Sequence, residues 1–253
     1  MKLSPQEVKG DFMDYDISEF SHPGGWALHV DSCKFLATLI RKYHLKNVLE
    51  FGSGFSSLMI ANEIRHSTDH LLVSIDNSQY YSQIARQSLV KNNIKVNAGF
   101  YTFRIRPRIY HKKILLFYAI PQDFWSNLDK FDLVLIDAPH HDFGREASFY
   151  EIFCRLKIGG IAVIDDSNRK SMEMVYAKKW QQVFGDAIKI TLLKDIGSGL
   201  SVITKLQDTP MGCKFSKHDI LISSLKSARN FFRVLAYRNQ HVTSANKCNY
   251  WSS

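Results

Sequence analysis

Apolar residues at Val30, Phe35, Leu36, Leu39, Ile40 and Tyr43 fall at helical spacing and lead into the short apolar run "KNVLEF". Two glycines one residue apart then break the run, and "FSSLMIA" resumes it, which predicts a strand, a tight turn and a helix. "LLVSID" (71–76) predicts the next strand, and "NSQYYSQIARQSLVKN" a helix capped by Asn77 or Ser78. Two strands joined through a helix imply a right-handed parallel crossover. "FDLVLID" (131–137) and "GGIAVIDD" (159–166) read as further buried strands, each followed by a helix-like segment. "DAIKITLL" and "GLSVITK" complete the sheet as a hairpin across "KDIGS". The whole pattern predicts a doubly wound α/β domain.

Two regions depart from it. Residues 94–127 are less regular, and "FRIRPRIYHKKILLFYAIPQDFW" reads as an insertion of edge strands or a lid. "FSKHDILISSLKSARNFFRVLAYR" opens on Ser216 and Asp219 in a capping-box-like arrangement and spaces Ile220, Leu221, Leu225, Phe232 and Leu235 as a basic amphipathic helix. The expected organisation is an entry segment and helix (1–45), a core (46–205), and a basic helix and tail (206–253).

With 253 residues and 45% hydrophobic content, the chain can bury one sizeable core. "MKLSPQEVKGDFMDYD" has no apolar segment of signal-peptide type, and no run approaches membrane-spanning length, so a cytoplasmic protein is expected. Cys33, Cys154, Cys213 and Cys248 are widely spaced, which suggests free thiols rather than a zinc knuckle or disulfide framework. The net charge of +9 leaves nucleic acid, an anionic membrane surface and an acidic substrate open as partners.

A glycine turn between a parallel strand and a helix lets a ligand approach the backbone, and the helix start offers unpaired N–H groups. Gly52 and Gly54 are followed by Ser57 where a dinucleotide fingerprint wants its third glycine, which weakens a nicotinamide reading. "LEFGSGFSS", "VSIDNSQYY", "FDLVLIDAPHH" and "GGIAVIDDSNR", in that order and spacing, resemble the class I S-adenosylmethionine-dependent methyltransferases, in their small-molecule and sugar O-methyltransferase-like branch. The similarity spans about residues 20–205, and "PGGWAL" resembles the entry segment of those members. The resemblance implies a Rossmann-like, mostly parallel sheet with a terminal antiparallel hairpin strand, and S-adenosylmethionine as cofactor. It places Glu50, Gly52, Ser53 and Gly54 against the methionine part, with Asp76 accepting from the ribose hydroxyls and Asp137 lining the pocket.

Methyl transfer to a hydroxyl needs an acceptor for its proton. "IDAPHHDFGRE" stands where an open α/β sheet has its crevice, which makes His140 the candidate base, with Asp137 beside it and His141 in reserve. Asp137, Asp165 and Asp166 are hard oxygen donors at adjacent strand ends, suited to magnesium or manganese. The arrangement resembles metal-dependent catechol-type enzymes, which carry Asp-Asn where this chain has Asp-Asp. Trp26, His141 and Arg169 are candidate substrate contacts, with Arg145 and Arg169 both open between a negatively charged substrate and a structural ion pair.

The favoured acceptor is a small molecule or sugar. A nucleic-acid methyltransferase and a non-catalytic module of the same fold are the alternatives, although "DAPHH" stands where a nucleic-acid enzyme acting on exocyclic amines would carry Asn-Pro-Pro-Tyr. The C-terminal helix leaves three roles open: packing on its own domain, contacting a membrane surface or nucleic acid, or joining another subunit.

Overall fold

The computed structural model describes residues 5–110, 112–140, 145–169, 173–210 and 217–244. Its strands are β1 (Asn47–Phe51), β2 (Leu71–Asp76), β3 (Ala98–Thr102), β4 (Ile105–Tyr110), β5 (Lys113–Tyr118), β6 (Phe131–Ile136), β7 (Leu156–Ile164), β8 (Ile188–Leu193) and β9 (Leu200–Lys205). The helices are α1 (Pro5–Asp11), α2 (Val30–Tyr43), α3 (Phe55–Ile64), α4 (Gln79–Lys91), α5 (Gln122–Ser126), α6 (Arg145–Ile152), α7 (Glu173–Phe184) and α8 (Lys217–Ser244).

Seven strands form one sheet in the order β3-β2-β1-β6-β7-β9-β8. β1, β2, β3, β6 and β7 pair in parallel, and β9 runs antiparallel between β7 and β8. The expected doubly wound sheet is therefore present, and the expected hairpin enters it by its second strand. Parallel strands covered on both faces must be apolar throughout, and β1, β2 and β6 are buried after their first one or two residues. One apolar cluster, built on α2 and α3, fills one side of the sheet, and another, built on α6 and the β4–β5 hairpin, fills the other.

Two regions that the pattern left irregular take definite form. β3 lies within the stretch that the pattern left irregular. It is an edge strand, half-exposed along its length and interrupted by Gly99, so it lacks the continuous apolar run by which its neighbours are recognised. Of the two readings of the basic insertion, strands hold and the lid does not: β4 and β5 form a separate antiparallel pair, with Leu115, Leu116, Phe117 and Tyr118 buried in the core. Its Lys113 is buried against Glu146, which Lys179 also meets at 2.9 Å.

The C-terminal helix packs on its own domain. The hydroxyl of Ser227 donates to the carbonyl of Ile114 in β5 at 2.7 Å, and Phe231 and Val234 join the core cluster. Its capping position, Ser216, lies outside the described residues.

Lys205 closes the far end of β9 with an exposure of 0%. Its ammonium donates to the carbonyls of Phe153 (2.7 Å) and Leu156 (2.9 Å), pairs with Asp208 at 2.6 Å, and lies over the Phe153 ring. A neutral side chain of similar length leaves both carbonyls without their donor. Lys205→Met is expected to lower unfolding stability by about 1–3 kcal/mol, read from urea denaturation.

Candidate active site

The turn after β1 is built around one buried carboxylate. Glu50 has an exposure of 0% and accepts hydrogen bonds from the hydroxyls of Ser57 at 2.5 Å, Ser74 at 2.7 Å, and Ser56. Burial pushes its carboxyl up to about 7, against the lowering effect of the three hydroxyls. Ser57 also accepts from the Gly54 amide at 3.0 Å, so one side chain ties the start of α3 to the end of β1. Glu50 orders the loop from beneath, and its carboxylate is occupied by those serines.

Gly52 has φ +108°, and a Cβ there would meet the Cβ of Ala138 at 3.0 Å. Only glycine fits a backbone that close to the end of β6. Above Gly54 a Cβ would meet nothing within 4 Å, so the turn leaves open space at the start of α3. Open space at a helix N-terminus is suited to a strongly polar ligand.

Asp76 ends β2 with 7% exposure. Its carboxylate accepts from the amides of Ser53 (2.8 Å) and Ser78 (2.7 Å), which anchor the glycine turn to the next loop. Burial pushes it up to about 6 in spite of those bonds. Ser78 is the cap of α4, one of the two residues expected to hold that place.

Sequence reasoning missed a chain of hydroxyls beside Asp76. Ser53 meets Ser74 at 2.8 Å and Ser82 at 3.4 Å, and Thr102 donates to Ser82 at 3.3 Å. The chain ends at a hollow of about 220 Å³, lined by Gln79, Ser82, Gln83, Arg86, Phe100 and Thr102. Scattered serines carry no motif, and only the pairing of β2 with β3 brings Thr102 opposite Asp76. A second hollow, of about 260 Å³, lies away from these strand ends between α7 and the start of α8.

The three acids expected at the ends of β6 and β7 do converge: ligand oxygens of Asp137, Asp165 and Asp166 lie within 4.8 Å of one another. Arg145, at the start of α6 and 5% exposed, holds them. Its Nη2 meets the Asp137 carboxylate at 3.1 Å and its Nη1 meets Asp166 at 2.9 Å, while the group also donates to the carbonyls of Asp137, Pro139 and Asp165. That geometry uses the full fork of guanidinium donors. Arg145 is thus the structural ion pair of the two roles left open for it. Arg169, a candidate substrate contact, pairs with the other oxygen of Asp166 at 3.3 Å.

Burial pushes Asp165 up to about 8, with Asp137 and Asp166 adding to the shift, and it raises Asp137 against the pull of Arg145. Ser32 of α2 donates to Asp165 at 3.5 Å.

His140 stands three residues beyond Asp137, half-buried, after the cis Ala138–Pro139 peptide. The exposed Trp26 ring meets its imidazole edge to face at 5.7 Å. The loop carrying Trp26 turns through Gly24 and Gly25, both at positive φ, and is pinned by His22, which meets the Leu28 carbonyl at 2.9 Å and accepts from the Gly24 amide. His141 lies outside the described residues.

The sheet order, with its reversed strand β9 between β7 and β8, and a glycine turn facing an acid on the next strand now stand beside the comparisons. A family model described as a methyltransferase domain matches residues 49–167. Residues 49–167 thus carry a methyltransferase domain.

Solved structures share the methyltransferase's fold. The O-methyltransferase from Bacillus cereus in complex with SAH is 15% identical, with a TM-score of 0.53, 79% of this chain covered and 90% of that one. TomG, an O-methyltransferase from Streptomyces achromogenes involved in tomaymycin synthesis and solved with SAM, is 15% identical, with a TM-score of 0.52, 82% of this chain covered and 92% of that one. Cofactor-bound Rv0187 from MTB is 17% identical, with a TM-score of 0.55 over 82% of this chain and 100% of that one. No curated protein sequence matches the methyltransferase.

A raised folded-state pKa means that the native protein binds more protons than the unfolded chain between the two values, so stability falls as pH rises through that window. For Glu50 the window runs from the ordinary 4.5 to about 7. Urea denaturation midpoints of the ligand-free methyltransferase are expected to fall across it. Glu50→Gln, which keeps the shape and removes the titration, is expected to flatten the fall; an unchanged slope would locate its cause elsewhere.

Proposed function

We propose that this methyltransferase transfers a methyl group to a hydroxyl oxygen of a small molecule, a sugar or a phenol being the acceptor class, with His140 as the proton acceptor. The observation that carries this reading is the position of His140. It stands at the carboxyl end of β6, next to the acid cluster and under the exposed Trp26 ring. An imidazole is suited to taking a hydroxyl proton near neutral pH. Trp26 offers an acceptor ring an apolar face at the same place, with Arg169 at the edge of the cluster as an additional contact.

For the cofactor, Gly52, Ser53 and Gly54 supply a backbone that a ligand can approach, and Asp76 supplies a carboxylate for ribose hydroxyls. Glu50 acts by holding that turn. The hollow beyond Asp76, with the Ser82 and Thr102 hydroxyls, is where the adenosine end is expected. Asp76→Ala is expected to weaken S-adenosylhomocysteine binding by at least about tenfold in calorimetric titration, the loss of one or two charge-assisted hydrogen bonds. His140→Ala is expected to leave that binding unchanged while lowering kcat by about a hundredfold or more. An unchanged kcat would remove His140 from the reaction.

Asp137, Asp165 and Asp166 fit a magnesium or manganese ion as donors, being three hard carboxylates on adjacent strand ends. Arg145 is the cation that already bridges two of them, so ion and guanidinium compete for the same oxygens. A bound ion would supply Lewis-acid activation of the acceptor hydroxyl. Magnesium or manganese is expected to raise the thermal midpoint of the protein, and Asp165→Asn to abolish that rise. No shift with either ion would leave Arg145 as the cation of this cluster.

A further inference from the structure

The long helix α8 is amphipathic the wrong way round for a helix that serves only its own domain. The face laid on the β4–β5 hairpin carries Ser223 and Ser227, both buried, with Ile220, Phe231 and Val234 beside them. The opposite face carries Leu221 (59% exposed), Leu225 (63%), Phe232 (70%) and Leu235 (40%). These positions are separated by four, seven and three residues, so they form one stripe along the helix, about 21 Å long at 1.5 Å per residue. Ile109 and Ile114, cross-strand partners on the hairpin beneath, add two more exposed apolar side chains next to the helix.

Charge decides what covers this stripe. Within residues 217–235 the helix carries Lys217, Lys226, Arg229 and Arg233 against the single acid Asp219. Lys226, Arg229 and Arg233 follow one another at helical spacing, on the flank between the apolar stripe and the buried face. An antiparallel two-fold pairing of α8 with its own copy would set that flank against itself, cation to cation. Nucleic acid would satisfy the charges and leave four large apolar side chains in water.

An anionic lipid surface meets both requirements. The stripe enters the boundary between headgroups and acyl chains, and the long basic side chains reach back to the phosphates. We propose that α8 is an interfacial helix, by which the folded methyltransferase lies on an anionic bilayer through Leu221, Leu225, Phe232 and Leu235, with Lys226 and Arg229 on headgroup phosphates. No helix among the described residues is long and apolar enough to cross a membrane.

The test is co-sedimentation of the full chain with vesicles. Phosphatidylcholine vesicles containing phosphatidylserine are expected to bind the protein, and phosphatidylcholine alone to leave it in solution. The double variant Leu225→Glu, Phe232→Glu is expected to lose at least about tenfold in binding, since it removes apolar area and adds charge of the wrong sign. Lys226→Ala and Arg229→Ala are each expected to lose about fivefold, and added salt to weaken binding further. Both exposed positions lie outside the cofactor site, so unchanged S-adenosylhomocysteine titration of the double variant verifies that it is folded. Binding that the double variant retains, or no binding to anionic vesicles, would overturn the proposal. A dimer in sedimentation velocity that the same variant dissolves would also overturn it and assign the stripe to a second copy of the chain.

Discussion

Glu50 places a carboxyl group where no water reaches it, and the three serine hydroxyls that surround it make the placement tolerable. A buried acid without donors would be strongly destabilising, so the donors must converge on it. Two come from the start of α3 and one from β2, and their convergence sets the path of the chain between β1 and α3. Once that path is set, the Ser53 amide points at Asp76 and Gly52 lies against Ala138. The turn available to a cofactor is therefore a consequence of how one acid is satisfied beneath it.

The second acid cluster follows the same logic with a different donor. Asp137, Asp165 and Asp166 would repel one another at the ends of β6 and β7, and Arg145 reaches in from α6 with a rigid fork that meets two of them and three carbonyls. The guanidinium thus fixes the loop that carries His140 relative to the end of the neighbouring strand. Local sequence holds no sign of this, because Arg145 is eight residues from Asp137 and twenty or more from Asp165 and Asp166.

Around these two clusters the chain uses its polar residues economically and its apolar ones unevenly. The hairpin and α6 are buried together, with Lys113 and Lys179 both satisfied by Glu146. On α8, Ser223 and Ser227 face inward beside Phe231 and Val234, with Ser227 donating to the carbonyl of Ile114, while the leucines face outward.

The strands β1, β2, β6 and β7, the glycine turn, the cap of α4 and the convergence of the three acids were legible from residue order alone. Continuous apolar runs identify strands covered on both faces, and parallel connection brings the acids at their ends to one edge. Edge strand β3 was hidden by exposure, and the insertion read equally as strands or a lid because its apolar run was shorter than its basic surroundings. Spacing on α8 revealed an apolar stripe but not which way it faces, since a helical repeat is the same whether the stripe looks inward or outward. Sequence by itself determined the inner strands of the sheet, the glycine turn and the chemical types gathered at the strand ends, because those follow from periodicity and local backbone requirements. Only tertiary structure decided which donor satisfies each buried acid, and which face of α8 meets solvent, because both depend on contacts between residues far apart in the chain.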